Sequence, residues 1–299
     1  MSENTATDSR LQRRFRELRA QNKKGLIIYI CAGDPDIHTT FNLVKEISRA
    51  GADVIELGIP FSDPLADGPV IQAASTRALA SGTNVGKILS LVDSLRYEED
   101  LPEIPLVLMT YLNPIYRYGL AEFVRDAAAA GVDGLIVPDL PAGEEESTAL
   151  INAMAGLRPS VDLIPLVAPT STEERIRAAA AIAQGFIYCV SLTGVTGTRD
   201  SLSAELEGFI GRVRSLTDKP LAVGFGISRP EHARRVARYA DAVIIGSAVV
   251  KAIHEATMSM GTGPDALASV RAVVEGFKNA IAAFGQSPPQ NSRGLSRNR

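Results

Sequence analysis

The sequence contains no tryptophan, two cysteines and three histidines, and it has no apolar run long enough to cross a bilayer. Cys31 and Cys189 are far apart in apolar, strand-like stretches, which predicts buried free thiols in a reducing compartment. The formal net charge is −3, and no basic patch is interleaved with aromatic residues. This balance argues against a nucleic-acid-binding protein. No apolar signal segment opens the chain, and Glu3 and Asp8 argue against a transit peptide, so we expect a cytoplasmic protein.

The 299 residues could form one large α/β barrel or two smaller domains. A hydrophobic content of 45% with 22% charged residues is ordinary for a globular chain that buries a substantial core. Residues 1–8 are polar and 286–299 are rich in Pro, Ser, Asn and Arg, so both segments are expected to be disordered. The catalytic or binding domain is therefore expected over residues 9–285.

Within that domain, short apolar stretches alternate with helical patterns. Leu11, Phe15 and Leu18 recur at helical spacing and predict an amphipathic lead-in helix. Eight strands are then predicted, at 26–32, 54–57, 106–111, 134–137, 163–167, 186–190, 221–223 and 242–245. Helical segments follow each strand, one of them over 70–96. This count and length predict a (β/α)8 TIM barrel with the lead-in helix at its start and extra helices at its C-terminal face. A doubly wound open sheet is the competing fold, but no Gly-rich dinucleotide turn follows the first strand.

One carboxylate lies inside a predicted strand. Residues 54–57 are apolar except for Glu56, and the following loop carries Asp63 and Asp67 among prolines and glycines that prevent a helix before about residue 70. In a parallel sheet both faces of a strand are covered, so Glu56 is expected to be buried and to need a proton or a partner. A structural Glu paired with an Arg or with backbone amides is the alternative to a catalytic one.

Three glycine-containing turns follow late strands, where barrels of this class often hold phosphates. They are Gly194-Val195-Thr196-Gly197, Gly224-Phe225-Gly226 and Gly246-Ser247. Glycine allows backbone N–H groups to approach an anion, and Ser247 opens a short helix whose N-terminus favours negative charge. Together the turns predict a site for a phosphate-bearing ligand.

The remaining chemistry is limited by residue type. A Schiff-base aldolase needs a lysine at the C-terminal end of a strand, and none of the seven lysines is predicted there. A zinc aldolase needs clustered histidines, but His38, His232 and His254 form no ligand pair. Acid–base chemistry by Glu56, Asp67 and possibly Asp63 is what remains.

The motifs resemble those of tryptophan synthase α subunits. Residues 56–69 read ELGIPFSDPLADGP, which is close to diagnostic of that family. Supporting matches are AGDP at 32–35, YLNP at 111–114, GVTG at 194–197 and GFGIS at 224–228. The resemblance spans roughly residues 11–284, with one departure at Cys31, where the family often has threonine.

The resemblance implies reversible retro-aldol cleavage of indole-3-glycerol phosphate to indole and glyceraldehyde 3-phosphate, in tryptophan biosynthesis. Glu56 and Asp67 would then be the catalytic residues, and Asp63 and Pro64 would face a partner chain. The residues implied near the substrate are Tyr188, Thr196, Gly197, Phe225, Gly226, Gly246 and Ser247. Of these, Tyr188 and Phe225 could equally be core residues.

The resemblance also implies a partner, a pyridoxal-phosphate-dependent β subunit in an α2β2 assembly. This chain itself is then expected to need no cofactor and no metal. Three alternatives stay open at this point: a stand-alone indole-glycerol-phosphate lyase without a partner, a catalytically silent phosphate-binding barrel subunit, and a phosphosugar isomerase on the same barrel.

Overall fold

The computed structural model describes residues 8–282 apart from 100, 102, 191–198 and 225, and the side chains of 199–204 are also outside the description. Helices and strands alternate along the chain. The strands are β1 (Gly25–Cys31), β2 (Val54–Gly58), β3 (Leu106–Met109), β4 (Gly134–Ile136), β5 (Asp162–Leu163), β6 (Leu166–Val167), β7 (Ile187–Val190), β8 (Leu221–Gly224) and β9 (Ala242–Ile245). The helices are α1 (Arg10–Ala20), α2 (Ile37–Arg49), α3 (Pro69–Ala80), α4 (Val85–Arg96), α5 (Leu112–Tyr118), α6 (Leu120–Ala129), α7 (Glu145–Met154), α8 (Glu173–Ile182), α9 (Arg199–Arg214), α10 (Pro230–Val236), α11 (Ser247–Met260) and α12 (Pro264–Ala282).

All pairings between the strands are parallel, in the order β5-β4-β3-β2-β1-β9-β8-β7-β6. β5 and β6 are two ends of one strand interrupted at Ile164 and Pro165. The Ile164 N–H donates to the Leu135 carbonyl of β4, whereas the Pro165 carbonyl accepts from the Tyr188 N–H of β7. Consecutive residues thus bond to opposite edges of the sheet and close it. The predicted eight-stranded barrel is confirmed, and the open doubly wound sheet is wrong.

The barrel interior is filled near its N-terminal end by apolar side chains from every strand and its immediate flank. These residues are Ile27, Val54, Val107, Ile136, Ile164, Phe186, Ala222, Ala242 and Ile244. Leu11 and Phe15 of α1 belong to the same cluster, and the Phe15 and Phe186 ring centroids are 5.3 Å apart. The predicted lead-in helix is therefore confirmed, and it covers this end of the barrel.

Three aspartates fasten the same end from positions just before a strand. Each accepts a hydrogen bond from a backbone N–H at the start of a neighbouring strand, and each forms an ion pair with a basic side chain. The donors are the N–H groups of Leu26 to Asp53, Leu106 to Asp133 and Leu221 to Asp241. The basic partners are Lys278 for Asp53, Arg96 for Asp133 and Arg214 for Asp241. Because this end is occupied by packing and ion pairs, the opposite end of the barrel is the one open to ligands.

Local differences from the predicted elements have simple causes. The helix expected over 70–96 is two helices, α3 and α4, because Gly82 adopts a left-handed φ of 78° and Asn84 caps α4 by accepting from the Lys87 N–H. α5 was not predicted. Thr172 caps α8 by accepting a hydrogen bond from the Arg175 N–H.

Both cysteines are buried free thiols, as expected. Among the described helices, none has the length and apolar content of a membrane span. The disorder predicted at the two termini concerns residues 1–8 and 286–299, nearly all outside the described residues, and it stays a prediction together with the domain boundaries.

Candidate active site

A cavity of about 350 Å³ lies at the C-terminal ends of the strands. Its wall is mostly apolar, with carboxylate, hydroxyl and glycine backbone groups at a few points. The lining residues are Tyr29, Ala66, Asp67, Gly68, Ile71, Met109, Pro138, Leu166, Tyr188, Val190, Gly226, Ile227, Ser228, Ile244, Gly246, Ser247 and Ala248. The predicted site residues Asp67, Tyr188, Gly226, Gly246 and Ser247 are therefore brought together.

Glu56 lies on β2 beneath this cavity. It points into the barrel like Val54, two residues earlier, because alternate residues of a strand face the same side. Its relative exposure is 0%, and neither carboxyl oxygen has a hydrogen-bond partner among the residues that the structure describes. Burial raises the pKa of Glu56 to about 8. A group protonated near neutral pH, with no structural partner in the described part, is suited to proton transfer. The alternative of a structural Glu satisfied by an Arg or by amides finds no support there.

Asp67 lies on the loop after β2, which Tyr111 holds in place. The Tyr111 hydroxyl accepts the Ala66 N–H at 2.9 Å, and its ring packs on Phe61 with centroids 5.4 Å apart. Burial raises the pKa of Asp67, and the interaction with the Tyr111 hydroxyl opposes that shift. Asp67 is thus a half-buried carboxylate in the cavity wall, and its loop is held by Tyr111 from the segment after β3. Tyr111 was not predicted as a site residue, although its position at the end of a predicted strand was a usable signal.

Two tyrosines occupy the interior next to Glu56. Tyr188 of β7 and Tyr29 of β1 both line the cavity, and burial raises the pKa of each hydroxyl well above its usual value. The charges of Glu56 and Asp67 add to that shift in both cases, which places both hydroxyls near both carboxylates. Tyr188 was predicted from the resemblance. Tyr29 was not, although it lies on the strand next to Glu56 in a period-two pattern with Ile27 and Cys31.

The side of the cavity that follows β8 and β9 is suited to an anion. Gly246 is the N-cap of α11, and Gly246, Ser247 and Ala248 expose the N-terminus of this 14-residue helix to the cavity. Unpaired N–H groups and the helix dipole favour a negative charge there. Gly226, with a left-handed φ of 75°, turns the chain after β8 so that residues 226–228 line the same side.

Other predicted residues lie elsewhere. Asp63 is exposed on the loop after β2, and Pro64 beside it is partly exposed. The Asp63 carboxylate accepts a hydrogen bond from the Ser62 hydroxyl. Neither residue lines the cavity. Leu65 next to them is 90% exposed, which is unusual for a large apolar side chain. Thr196, Gly197 and Phe225 lie outside the described residues.

Two further acids have structural partners. Asp34, after β1, forms a two-pronged ion pair with Arg77 of α3, with both N···O distances 2.7 Å. Asp139 accepts the N–H of Leu112 at the start of α5. Both residues fix loops at the cavity end of the barrel, which is a structural role.

Fold and site together define a (β/α)8-barrel protein with a buried carboxyl group of raised pKa beneath a cavity whose wall contains a helix N-terminus. The model of the tryptophan synthase alpha chain family matches residues 15–282. The chain belongs to that family.

Similar proteins support the assignment over most of the chain. The tryptophan synthase alpha chain of Carboxydothermus hydrogenoformans is 50% identical over 246 residues, covering 82% of this chain and 90% of the relative. That of a Picosynechococcus species is 47% identical over 270 residues, covering 90% and 98%. A crystal structure of the tryptophan synthase alpha chain from Legionella pneumophila has a TM-score of 0.83 and 38% identity, covering 93% of this chain and 99% of its own.

Proposed function

We propose that the cavity catalyses reversible retro-aldol cleavage of indole-3-glycerol phosphate to indole and glyceraldehyde 3-phosphate, which makes the chain a carbon–carbon lyase. The observation that carries the proposal is Glu56, fully buried with a pKa raised to about 8, beneath a cavity whose wall includes the N-terminus of α11. The cavity volume, about 350 Å³, lies in the range of small-molecule sites. Family membership supports the same reaction.

The reaction requires two proton movements. Carbon 3 of the indole ring must gain a proton, and the hydroxyl on the adjoining glycerol carbon must lose one. The bond between carbon 3 and that glycerol carbon breaks as the aldehyde forms. Glu56, protonated near pH 7, donates the first proton, and the carboxylate then accepts the second. Because the same group gives and takes a proton, its net state is unchanged after one turnover.

The second carboxylate stabilises charge. Protonation of indole carbon 3 places positive charge on the ring nitrogen, and Asp67 in the cavity wall is the carboxylate available to face it. Tyr188 lies near the reacting centre, and Gly226, Gly246 and Ser247 hold the phosphate. From the resemblance alone we add Thr196 as a closing loop residue, Gly197 as a phosphate contact and Phe225 as a ring contact.

The word alpha in the family name implies a beta chain as partner. We infer further that this partner carries pyridoxal phosphate, that the assembly is α2β2, and that this chain needs no cofactor or metal. Asp63 and Pro64 are the proposed contact points, supported by the exposure of Leu65 between them and Asp67. A cytoplasmic location is part of the proposal, supported by two buried free thiols.

The alternatives are less well supported. A silent phosphate-binding barrel has no use for a buried Glu56 without a hydrogen-bond partner in the described part of the chain, together with Asp67 in the cavity wall. A phosphosugar isomerase rests on the fold alone, and the family match does not favour it. A stand-alone lyase would use the same residues, so only turnover separates it from a partner-dependent subunit.

The test is indole formation from indole-3-glycerol phosphate by the wild-type chain and by Glu56→Gln, each with and without a tryptophan synthase β subunit. We expect slow wild-type turnover that rises strongly with the partner, and no turnover by the variant. Fast turnover without a partner would favour the stand-alone lyase. A folded wild-type chain that never cleaves the substrate would overturn the proposal.

A further inference from the structure

Tyr29 lies on the strand next to Glu56 and at the same level. The register of β1 and β2 pairs Tyr29 with Glu56, so the two side chains leave the sheet side by side on its interior face. Tyr29 also lines the cavity, whereas Glu56 does not. Tyr29 therefore lies beside the carboxyl group and also borders the space where a ligand would lie.

The Tyr29 hydroxyl lies over β2 because Gly58 has no side chain to occupy that space. A Cβ atom at Gly58 would overlap the Tyr29 hydroxyl and the adjoining ring carbons. Gly58 follows Glu56 by two residues on the same face of the same strand, so the hydroxyl leans across β2 on the cavity side of Glu56. Tyr188 leans over Gly224 of β8 in the same way.

Glu56 needs a donor only when it is ionised. Both its oxygens lack hydrogen-bond partners in the described part of the chain, which a neutral carboxyl tolerates far better than a carboxylate. Three ionisable groups of the described residues lie in its neighbourhood: Tyr29 from β1, Tyr188 from β7 and Asp67 from the loop after β2. Tyr111 and Cys31 also lie near Tyr29, and burial, rather than any cation among the described residues, raises the pKa of Glu56.

We propose that Tyr29 is a positioning residue for Glu56, whose hydroxyl donates a hydrogen bond to the Glu56 carboxylate once that group has given up its proton. The role rests on the proposed function for its use in catalysis, but the hydrogen bond itself does not require substrate. Tyr188 is the other hydroxyl near Glu56, and it serves as the comparison. A donor that bonds only the ionised form lowers the cost of ionisation, so its removal must raise the pKa of Glu56.

The direct test is a ¹³C NMR titration of glutamate side-chain carboxyl groups in the ligand-free chain. Glu56→Gln identifies the Glu56 signal, and its midpoint is then measured in the wild type, Tyr29→Phe, Tyr188→Phe and the exposed Tyr97→Phe as control. Tyr29→Phe should raise the midpoint by about one pH unit, a tenfold change in the acid dissociation constant. Tyr97→Phe should leave it unchanged.

Replacing Tyr29 by 3-fluorotyrosine tests the opposite direction. Its hydroxyl is more acidic and a stronger donor, so the midpoint of the Glu56 titration should fall. Because the shape of the ring is nearly unchanged, this replacement also serves as the test if Tyr29→Phe does not fold. A midpoint that moves with neither replacement, or that moves only in Tyr188→Phe, overturns the role of Tyr29.

Kinetics separate this proposal from the proposed function. The pH profile of kcat/KM for indole formation should shift upward in Tyr29→Phe by the same amount as the NMR midpoint. A wild-type chain without cleavage activity overturns the proposed function and leaves the titration valid. An active Tyr29→Phe chain with an unshifted profile overturns the positioning role and leaves the function intact.

Discussion

The carboxyl group of Glu56 connects the site to the stability of the chain. Its folded-state pKa, about 8, exceeds the ordinary value near 4.5 because the group is buried. Below the ordinary value both folded and unfolded states hold the proton, and Glu56 contributes nothing to the pH dependence. Between the two values the unfolded chain releases the proton more readily, so the stability of the fold decreases as pH rises. Above pH 8 the loss is complete.

The first prediction follows from this difference. Glu56→Gln removes the titrating group. The difference in unfolding free energy between the variant and the wild type should therefore grow in favour of the variant as pH rises from 5 to 8, by about 3 kcal/mol at pH 7. Urea denaturation of both chains at pH 5, 7 and 9 measures the gap. A gap that stays constant over this range would mean that Glu56 is ionised in the folded state throughout.

Gly58 gives a second prediction at a single position. Gly58→Ala places a methyl group against the Tyr29 hydroxyl and ring, so we expect a destabilisation of about 1–3 kcal/mol and a large loss of indole formation. The matched control is Gly208→Ala on α9, where an added Cβ meets nothing within 4 Å. Thermal unfolding and kcat/KM of both variants provide the comparison, and equal behaviour would contradict the packing argument.

At the level of whole elements, the cavity wall depends on how loops are tied to the barrel. The loop after β2 is held through Tyr111, and the loop after β1 is held to α3 through Asp34 and Arg77. In both cases a side chain from another βα unit fixes the loop. The position of Asp67 is therefore set by β3 as well as by its own strand.

Tyr111→Phe should loosen the loop that carries Asp67. The variant keeps the ring contact with Phe61 but loses the acceptor for the Ala66 N–H and the interaction with Asp67. We expect kcat/KM for indole formation to fall about tenfold, the equivalent of one hydrogen bond, with a stability change near 1 kcal/mol. Tyr118→Phe, which loses a hydrogen bond to Asp126 away from the cavity, is the control. Equal activity in both variants would contradict the role of Tyr111.

The sequence predicts what is encoded locally. Apolar runs located all eight strands, and a carboxylate inside one of them identified Glu56. What it could not show depends on contacts between distant segments. The leaning of Tyr29 over Gly58 and the anchoring of Ala66 by Tyr111 join neighbouring strands or distant loops. The division of 70–96 into α3 and α4 depends on the single turn at Gly82, which the surrounding helical pattern concealed.

At the level of the whole molecule, the two ends of the barrel have different tasks. α1 and the strand-start aspartates close the N-terminal end, whereas the C-terminal end contains the cavity. This separation lets residues near the cavity depart from what stability alone would favour. Glu56 does so, because it is buried without a hydrogen-bond partner among the described residues. It also predicts where substitutions should affect stability without affecting the chemistry directly.

Phe15→Ala tests that division. Phe15 is 5% exposed and packs on Phe186, so its loss should cost about 3–5 kcal/mol of unfolding free energy. Leu65→Ala, which shortens a side chain that is 90% exposed, should change stability by less than about 0.5 kcal/mol. Denaturation of the isolated chains distinguishes the two, and kcat per folded molecule should be little changed in Phe15→Ala.

The interrupted strand formed by β5 and β6 has a consequence for motion. It joins the sheet through two short ladders, and Pro165 between them has no N–H to donate. Amide hydrogens at 162–164, 166, 167 and Tyr188 should therefore exchange with solvent deuterium faster than those of β1, which is paired on both sides. The Tyr188 N–H donates to the Pro165 carbonyl, and the Tyr188 side chain lines the cavity. Local opening of the barrel between the interrupted strand and β7 would therefore move Tyr188, a residue beside the Glu56 carboxyl group.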